Sequence, residues 1–445
     1  MKKSLILVSM VSALLLASCT NNNKNSNPSA GKSSDESSKP VAGQIKLIAP
    51  EDLSSMTSNC KKYIDDMRAQ HERLVAEKGD DADYYLNDLY GEQGVDLTKG
   101  VSASTGYLEN GAQNEYLDDK SVEQSDYSKG VELKFEIPAG MEDKEFKAIV
   151  SVNEDLSDAK EFKAKNDVAV AKNLFQNQKY YYKIVGEDVE SEVAEFTTGD
   201  YPRWIDARPL YNVRDQGGYM TSYGKRIKQG LIYRGGEVAT REWGNGNPDK
   251  HIITYTEESK RAFREDMDMV NGLEMDFRSS SESQDGYISA KKCAFAEDGD
   301  IGYYCNNTTQ SYVNCIKTKA ENHMKDIFEA FAEADEHHVY YHCYGGADRT
   351  GTIAFLLGSI LGMSYTDLVI DFELTSYSSN VSRNYRSHLR SGPYNDWPNL
   401  ITNLKSTYGW SEDKTLNECA ENYLVNTCGV GADTINKIRE IMLED

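Results

Sequence analysis

The residues with the clearest capacity for chemistry are Cys343 and Arg349, six positions apart in His342-Cys343-Tyr344-Gly345-Gly346-Ala347-Asp348-Arg349-Thr350-Gly351. A thiolate is a strong nucleophile, and a planar guanidinium offers two oxygens of a phosphoryl group a bidentate fork. The same fork complements the charge that spreads over those oxygens as the group is transferred. By itself the spacing is weak, because eight cysteines give several chances for coincidence.

The flanking residues give the spacing its meaning. His338-Val339-Tyr340-Tyr341 is a short β-branched and aromatic run, and Ile353-Ala354-Phe355-Leu356-Leu357 is apolar. The segment therefore reads as strand, tight loop, buried helix. A loop at such a junction turns successive backbone N–H groups inward and adds the positive end of the helix dipole. The amides of Tyr344, Gly345, Gly346, Ala347, Asp348 and Arg349 form the expected phosphate-binding set, with the two glycines allowing close approach. Cys343 opens the loop, where these groups favour thiolate over thiol.

The stretch H-C-x-x-G-x-D-R-T-G closely resembles the signature loop of cysteine-dependent tyrosine phosphatases, in particular the bacterial tyrosine and dual-specificity branch with Asp before the Arg. Further segments resemble that branch in order: Asn212-Val213-Arg214-Asp215-Gln216-Gly217-Gly218-Tyr219, Leu231-Ile232-Tyr233-Arg234, Asp276-Phe277-Arg278-Ser279, and Glu421-Asn422-Tyr423-Leu424 with Gly429-Val430. Two departures stand out. Ala347 occupies a position where many members carry Lys, and Gly235 one where Ser is usual. The resemblance implies an α/β fold, no cofactor, and a two-step reaction through a cysteinyl-phosphate on Cys343. In it Arg349 holds the phosphoryl group and Thr350 donates to the departing thiolate. The acid that protonates the leaving oxygen is open between Asp348 and Asp276, with Asp285, Asp298 and Asp300 in reserve. Without Lys at 347, monophosphorylated substrates such as protein phosphotyrosine are favoured, though Lys225, Arg226 or Arg234 could supply charge for a phosphoinositide or inositol phosphate. The remaining reading is a catalytically silent surface lipoprotein that binds an anion or a partner.

From Tyr201 onward strand-like and helix-like segments alternate, an α/β pattern: strands at Gly230–Arg234, Leu273–Phe277 and His338–His342, helices at Thr256–Asn271 and Tyr312–Ala334. Two closing helices carry Leu416, Ala420, Tyr423 and Leu424, then Ile435, Ile438, Ile441 and Met442. Residues 201–445 form the expected catalytic domain. Upstream, Leu53, Met56, Cys60, Tyr63, Ile64, Met67, Leu74 and Val75 mark a helix face. From Gly130 the period becomes two: Val131-Leu133-Phe135, Phe146-Ala148-Val150-Val152, Val168-Val170 and Tyr180-Tyr182-Ile184. Residues 45–200 read as a β-sandwich-like domain with a helical N-terminal segment. The stretch from Asn173 to Asp200 resembles the last strands of fibronectin type III domains, which implies a recognition module; the other reading is a spacer or packing partner for the next domain.

Met1-Lys2-Lys3, the apolar run Leu5 to Leu16 and small residues before Cys19 read as a secretion signal, too short to span a membrane. Leu16-Ala17-Ser18-Cys19 resembles a bacterial lipobox. It implies a signal peptide over 1–18, lipid on Cys19 and a bacterial cell-envelope protein on the periplasmic or outer face. Residues 19–44, poor in large apolar groups, read as a disordered tether. The chain has 72 Asp+Glu against 49 Lys+Arg, a net charge of −23, which excludes a nucleic-acid partner. The expected partners are a phosphorylated protein or small phosphorylated metabolite, and a membrane through the anchor. With seven His and no metal-ligand spacing, no metal is expected, and His342 reads as a support for the Cys loop. Cys60, Cys293, Cys305, Cys315, Cys419 and Cys428 are either buried thiols or disulfide partners, with Cys419 and Cys428 spaced to pair.

Overall fold

The computed structural model describes residues 45–79, 128–238, 240–243, 251–254, 258, 261–269, 272–277, 303–305, 324–378, 404–409, 411 and 414–445. Cys19 with its signal and tether, Asp285, Asp298 and Asp300, and Cys293 and Cys315 lie outside the described residues. Residues Gly43–Asp445 belong to one compact unit.

The first part of that unit contains β1 (Lys46–Ile48), α1 (Ser58–Lys78), β2 (Val131–Glu136), β3 (Lys147–Ser151), β4 (Lys160–Lys165), β5 (Val168–Ala171), β6 (Lys179–Gly186), β7 (Val189–Glu190) and β8 (Ala194–Thr197). The strands pair antiparallel in the order β1-β2-β5-β4-β3-β6-β7, with β8 also on β6. β4 joins the two halves of this path: Lys160–Lys163 pair with β3, while Ala164 and Lys165 pair with β5. Alternation puts Val131, Leu133, Phe135, Ala148, Val150, Tyr180, Tyr182 and Ile184 in one core, closed by Phe146 and Phe196. Two details differ from the periodicity reading. In β5 the core faces are Ala169 and Ala171, while Val168 and Val170 are half-buried. Cross-strand pairing explains it, because Val131 sits opposite Ala171 and Leu133 opposite Ala169, and directly opposed residues share a face. Val152 is exposed, since β3 ends at Ser151.

The helix α1 starts at Thr57, whose hydroxyl accepts from the Cys60 amide at 3.3 Å, and stops at Gly79 with φ +66. Its buried face, Cys60, Tyr63, Ile64, Met67 and Leu74, joins the core of the C-terminal helices rather than the core of the strand layer. Leu53 precedes the helix and packs on the strand layer, and Val75 is exposed.

The second part holds β9 (Arg214–Asp215), β10 (Arg226–Ile227), β11 (Ile232–Gly235), β12 (Thr240–Trp243), β13 (His251–Thr254), β14 (Leu273–Asp276), β15 (Tyr303–Cys305), α2 (Met324–Phe331), β16 (Val339–His342), α3 (Arg349–Ile360), α4 (Tyr365–Leu374), α5 (Leu416–Asn426), α6 (Ala432–Met442) and β17 (Leu443–Glu444). Within 256–271 the described helical stretch is a π-type turn at Ala262–Asp266, and within 312–334 it is α2. A five-stranded sheet runs β15-β14-β16-β11-β9, parallel except for β9. Both faces of it are covered, as parallel sheets require. Ile232, Met275, Val339 and Tyr341 point into the large helical core, and Tyr233 and Tyr340 into a smaller cluster with Val213, Phe263 and Met267. The eight apolar positions named for the two closing helices are all buried there.

The strand layer meets this body through a buried arginine. Arg203 donates to the carbonyls of Leu174 (3.2 Å) and Asn173 (2.6 Å), pairs with Asp215 at 2.7 Å, and lies over the Phe175 ring. Gln176 and Gln229 exchange two hydrogen bonds of 2.9 Å beside it.

Candidate active site

Strand register brings Gly235, Asp276 and His342 to one level at the C-terminal ends of β11, β14 and β16, the edge where open α/β sheets place their ligands. The chain leaves β16 at Cys343, which is 3% exposed, crosses a tight loop and enters α3 at Arg349. From Thr350 to Ile360 every residue of α3 is buried, which roots the helix in the core and fixes its N-terminal end under the loop.

The carbonyls of this loop are held from outside. Gly345 O accepts from Asn212 Nδ2 at 3.0 Å, Gly346 O from Arg234 Nη2 at 2.8 Å, and Tyr344 O from the Glu237 amide at 3.1 Å and the Tyr211 hydroxyl at 2.9 Å. Carbonyls turned outward leave their neighbouring amides to face the opposite way, the arrangement that makes a nest for an anion. Gly346 has φ +66, and a Cβ there would lie 2.3 Å from the Gly235 carbonyl oxygen. The same packing accounts for the glycine at 235. A Cβ on Gly235 would lie 2.1 Å from the Tyr340 hydroxyl, which itself donates to Gly236 O at 2.7 Å, so a serine has no room.

Arg349 donates through Nη1 to Phe277 O at 2.8 Å, bridging the loop to the end of β14. Thr350 Oγ1 is buried with no hydrogen-bond partner among the described residues. Asp348 is the N-cap residue of α3, and its carbonyl accepts from both the amide and the hydroxyl of Thr352 at 2.9 Å. Ala347 is buried. Asp276 is fully buried beneath the loop, its Oδ1 3.9 Å from His342 Nδ1. His342 Nδ1 lies 3.1 Å from Cys343 O, and its Nε2 lies 2.9 Å from Glu274 Oε1. A carbonyl only accepts, so this contact makes Nδ1 a donor and ties the ring to the loop's first peptide.

Behind the loop lie Arg214, Arg234 and Asp371, all at least 90% buried. Asp371 on α4 pairs with Arg214 Nε at 3.2 Å and with Arg234 Nη1. Burial works against the Asp371 charge, but Arg234 and Arg214 outweigh it and hold its carboxyl below the usual range. Burial and the like charge of Arg234 push Arg214 down to about 10, still cationic at neutral pH. Lys225 and Arg226, considered as sources of substrate-binding charge, are committed elsewhere, to Asp445 at 2.8 Å and Asp200 at 2.7 Å. The pairing considered for Cys419 and Cys428 is not formed: both are free thiols, Cys419 donates to Tyr408 O at 3.4 Å, and burial pushes each up to about 11.

Sequence reasoning did not single out Asp371, Glu274, Tyr211 or Glu237 as parts of the site. For Asp371 a signal existed: an acid inside the apolar run Leu368-Val369-Ile370-Asp371-Phe372 must find a partner if that run is buried. For the others the residue types carry none.

A comparison with curated proteins finds no match. The profile described as the tyrosine phosphatase family matches residues 205–246 and 272–444, which include the loop, the Asn212–Gly218 segment and both closing helices. The C-terminal region therefore matches the tyrosine phosphatase family, and this supports a phosphatase activity for the site.

Proposed function

We propose that the chain is a cysteine-dependent phosphatase of monophosphorylated substrates, protein phosphotyrosine first, acting through a cysteinyl-phosphate. Cys343 Sγ attacks phosphorus, the P–O ester bond breaks, and the alcohol leaves with a proton from Asp348. Water, deprotonated by Asp348, then attacks phosphorus, breaks the S–P bond and releases inorganic phosphate with the thiolate restored. The observation that carries this reading is the loop itself, a buried cysteine opening a ring whose Tyr344, Gly345 and Gly346 carbonyls are pulled outward, closed by an arginine on the first turn of a buried helix.

Asp348 is preferred over Asp276 as the acid because Asp348 sits in the loop, whereas Asp276 is enclosed against His342. Thr350, a buried hydroxyl with no hydrogen-bond partner among the described residues, suits donation to the returning thiolate. Ala347, with Lys225 and Arg226 engaged elsewhere, favours one phosphate over a phosphoinositide headgroup or inositol polyphosphate. We place the protein at the bacterial cell envelope, lipid-anchored at Cys19 and raised on the 19–44 tether. The strand layer of 45–200 is read as a fibronectin-like module serving as a packing partner, in keeping with the Arg203 contacts.

The test is phosphate release by residues 45–445 with reductant and no added metal, on phosphotyrosine, phosphoserine, phosphoinositide and inositol polyphosphate, beside Cys343→Ser. Release confined to the wild type, greatest on phosphotyrosine, is expected. Orthovanadate binding without release from any substrate would instead make this an anion-binding surface protein.

A further inference from the structure

We propose that Asp371 is the hub of a buried clamp that sets the shape of the phosphate loop from behind, with Arg234 and the Arg214–Asn212 pair as its two arms. Each arm ends on one loop carbonyl. Arg234 spans from Asp371 Oδ2 through Nη1 to Gly346 O, 2.8 Å from its Nη2. Arg214 reaches from Asp371 Oδ1 to Asn212 Oδ1, and Asn212 Nδ2 lies 3.0 Å from Gly345 O. Arg214 is itself fixed a second time, donating through Nη2 to the Asp371 carbonyl at 3.0 Å and to Thr375 Oγ1 at 3.4 Å. One carboxylate thus orients two guanidiniums, and they orient two consecutive peptides of the loop. Peptide orientation is what an anion nest depends on, since a flipped peptide presents an oxygen where an N–H is needed. Asp371, Arg214 and Arg234 are positioning residues: nothing places them in contact with substrate, and they act through Gly345 and Gly346.

A clamp differs from a simple reserve of positive charge. Within the trio two cations face one anion, so a purely electrostatic role would survive exchange of Arg234 for another cation. A clamp would not survive it, because Lys is a point donor that cannot hold Asp371 and Gly346 O together in the geometry of a planar fork. The experiment compares Arg234→Lys, Asn212→Ala and Asp371→Asn with the wild type. It reads thermal unfolding, kcat and KM, and the orthovanadate concentration that protects Cys343 from alkylation.

Loop displacement on the scale of 1 Å costs roughly 10²-fold in catalysis. Folded Arg234→Lys and Asn212→Ala should each lose about tenfold or more in kcat/KM, with vanadate affinity falling alongside, and Asp371→Asn should lose more than either. If Asp371→Asn does not fold, the two single-arm variants carry the test. Folded variants with wild-type vanadate affinity and kcat overturn the clamp, as does an Arg234→Lys protein equal to wild type. The turnover arm rests on the phosphatase reading and the vanadate arm does not. A wild type that binds vanadate without turnover refutes that reading and leaves the clamp to be judged by binding, whereas one that binds no oxyanion refutes both.

Discussion

Replacing Gly346 with alanine tests whether the loop is shaped by backbone contact. Two costs arise at this position. The first is conformational: φ +66 places an L-residue in the left-handed region, at about 1–2 kcal/mol. The second is steric, because the new Cβ would lie 2.3 Å from the Gly235 carbonyl oxygen and 2.8 Å from the Gly236 amide nitrogen, where ordinary contact begins at 3.4 Å. Those atoms belong to the end of a central strand, whose Gly235 pairs with His342, so the strand cannot yield cheaply. The loop must therefore move by about 1 Å, which would lower kcat/KM by roughly 10²-fold. Gly429→Ala separates the two costs, because φ there is +74 and no atom lies within 4 Å of the new Cβ. Phosphate-release kinetics and thermal unfolding on both variants form the assay. Both should unfold at a lower temperature, and only Gly346→Ala should lose activity. A Gly346→Ala protein with wild-type kcat/KM would refute the backbone-contact account of the loop.

The acid assignment predicts that Asp348→Asn lowers kcat by about 10²-fold on alkyl phosphates and far less on nitrophenyl phosphate, whose leaving group needs no proton; the same leaving-group pattern from Asp276→Asn instead would transfer the role to Asp276. The proposed anchor predicts that the mature protein begins at Cys19 and carries acyl chains, read by mass spectrometry of the N-terminal peptide; an unmodified Cys19 in a secreted protein would refute it.

How much of this was legible in the sequence depended on whether the information was local. The Cys343–Arg349 loop was, because a strand, a tight glycine turn and a buried helix are written in consecutive residues and their junction has one geometry. The alternation of β2 and β6 and the apolar faces of α5 and α6 were readable for the same reason, since each element carries its own period. What periodicity could not give was the partner of a face. The face of α1 was visible, but that it packs with α4 rather than on the strands that follow it depends on contacts 300 residues away, such as Tyr63 against Tyr377. The core side of β5 is not set by periodicity, because Val and Ala are both apolar, so the choice falls to its pairing with β2.

Asp371 illustrates the same limit within the site and shows what an intermediate level of reasoning recovers. Asn212, Arg214 and Arg234 lie in the Asn212–Tyr219 and Leu231–Arg234 segments, whose sequence alone leaves their purpose open. A buried guanidinium must be paired, and two of them near one anion loop demand a carboxylate that composition alone cannot locate. Asp371, inside the apolar run of α4, meets that demand, and its two oxygens are divided between the two arginines. The segment Asn212–Gly218 and the strand ending in Arg234 are therefore better understood as a mould around Gly345 and Gly346 than as independent parts of a site. That is why substitutions at Asn212 or Arg234, which nothing places against the substrate, are expected to act on anion binding rather than on stability alone.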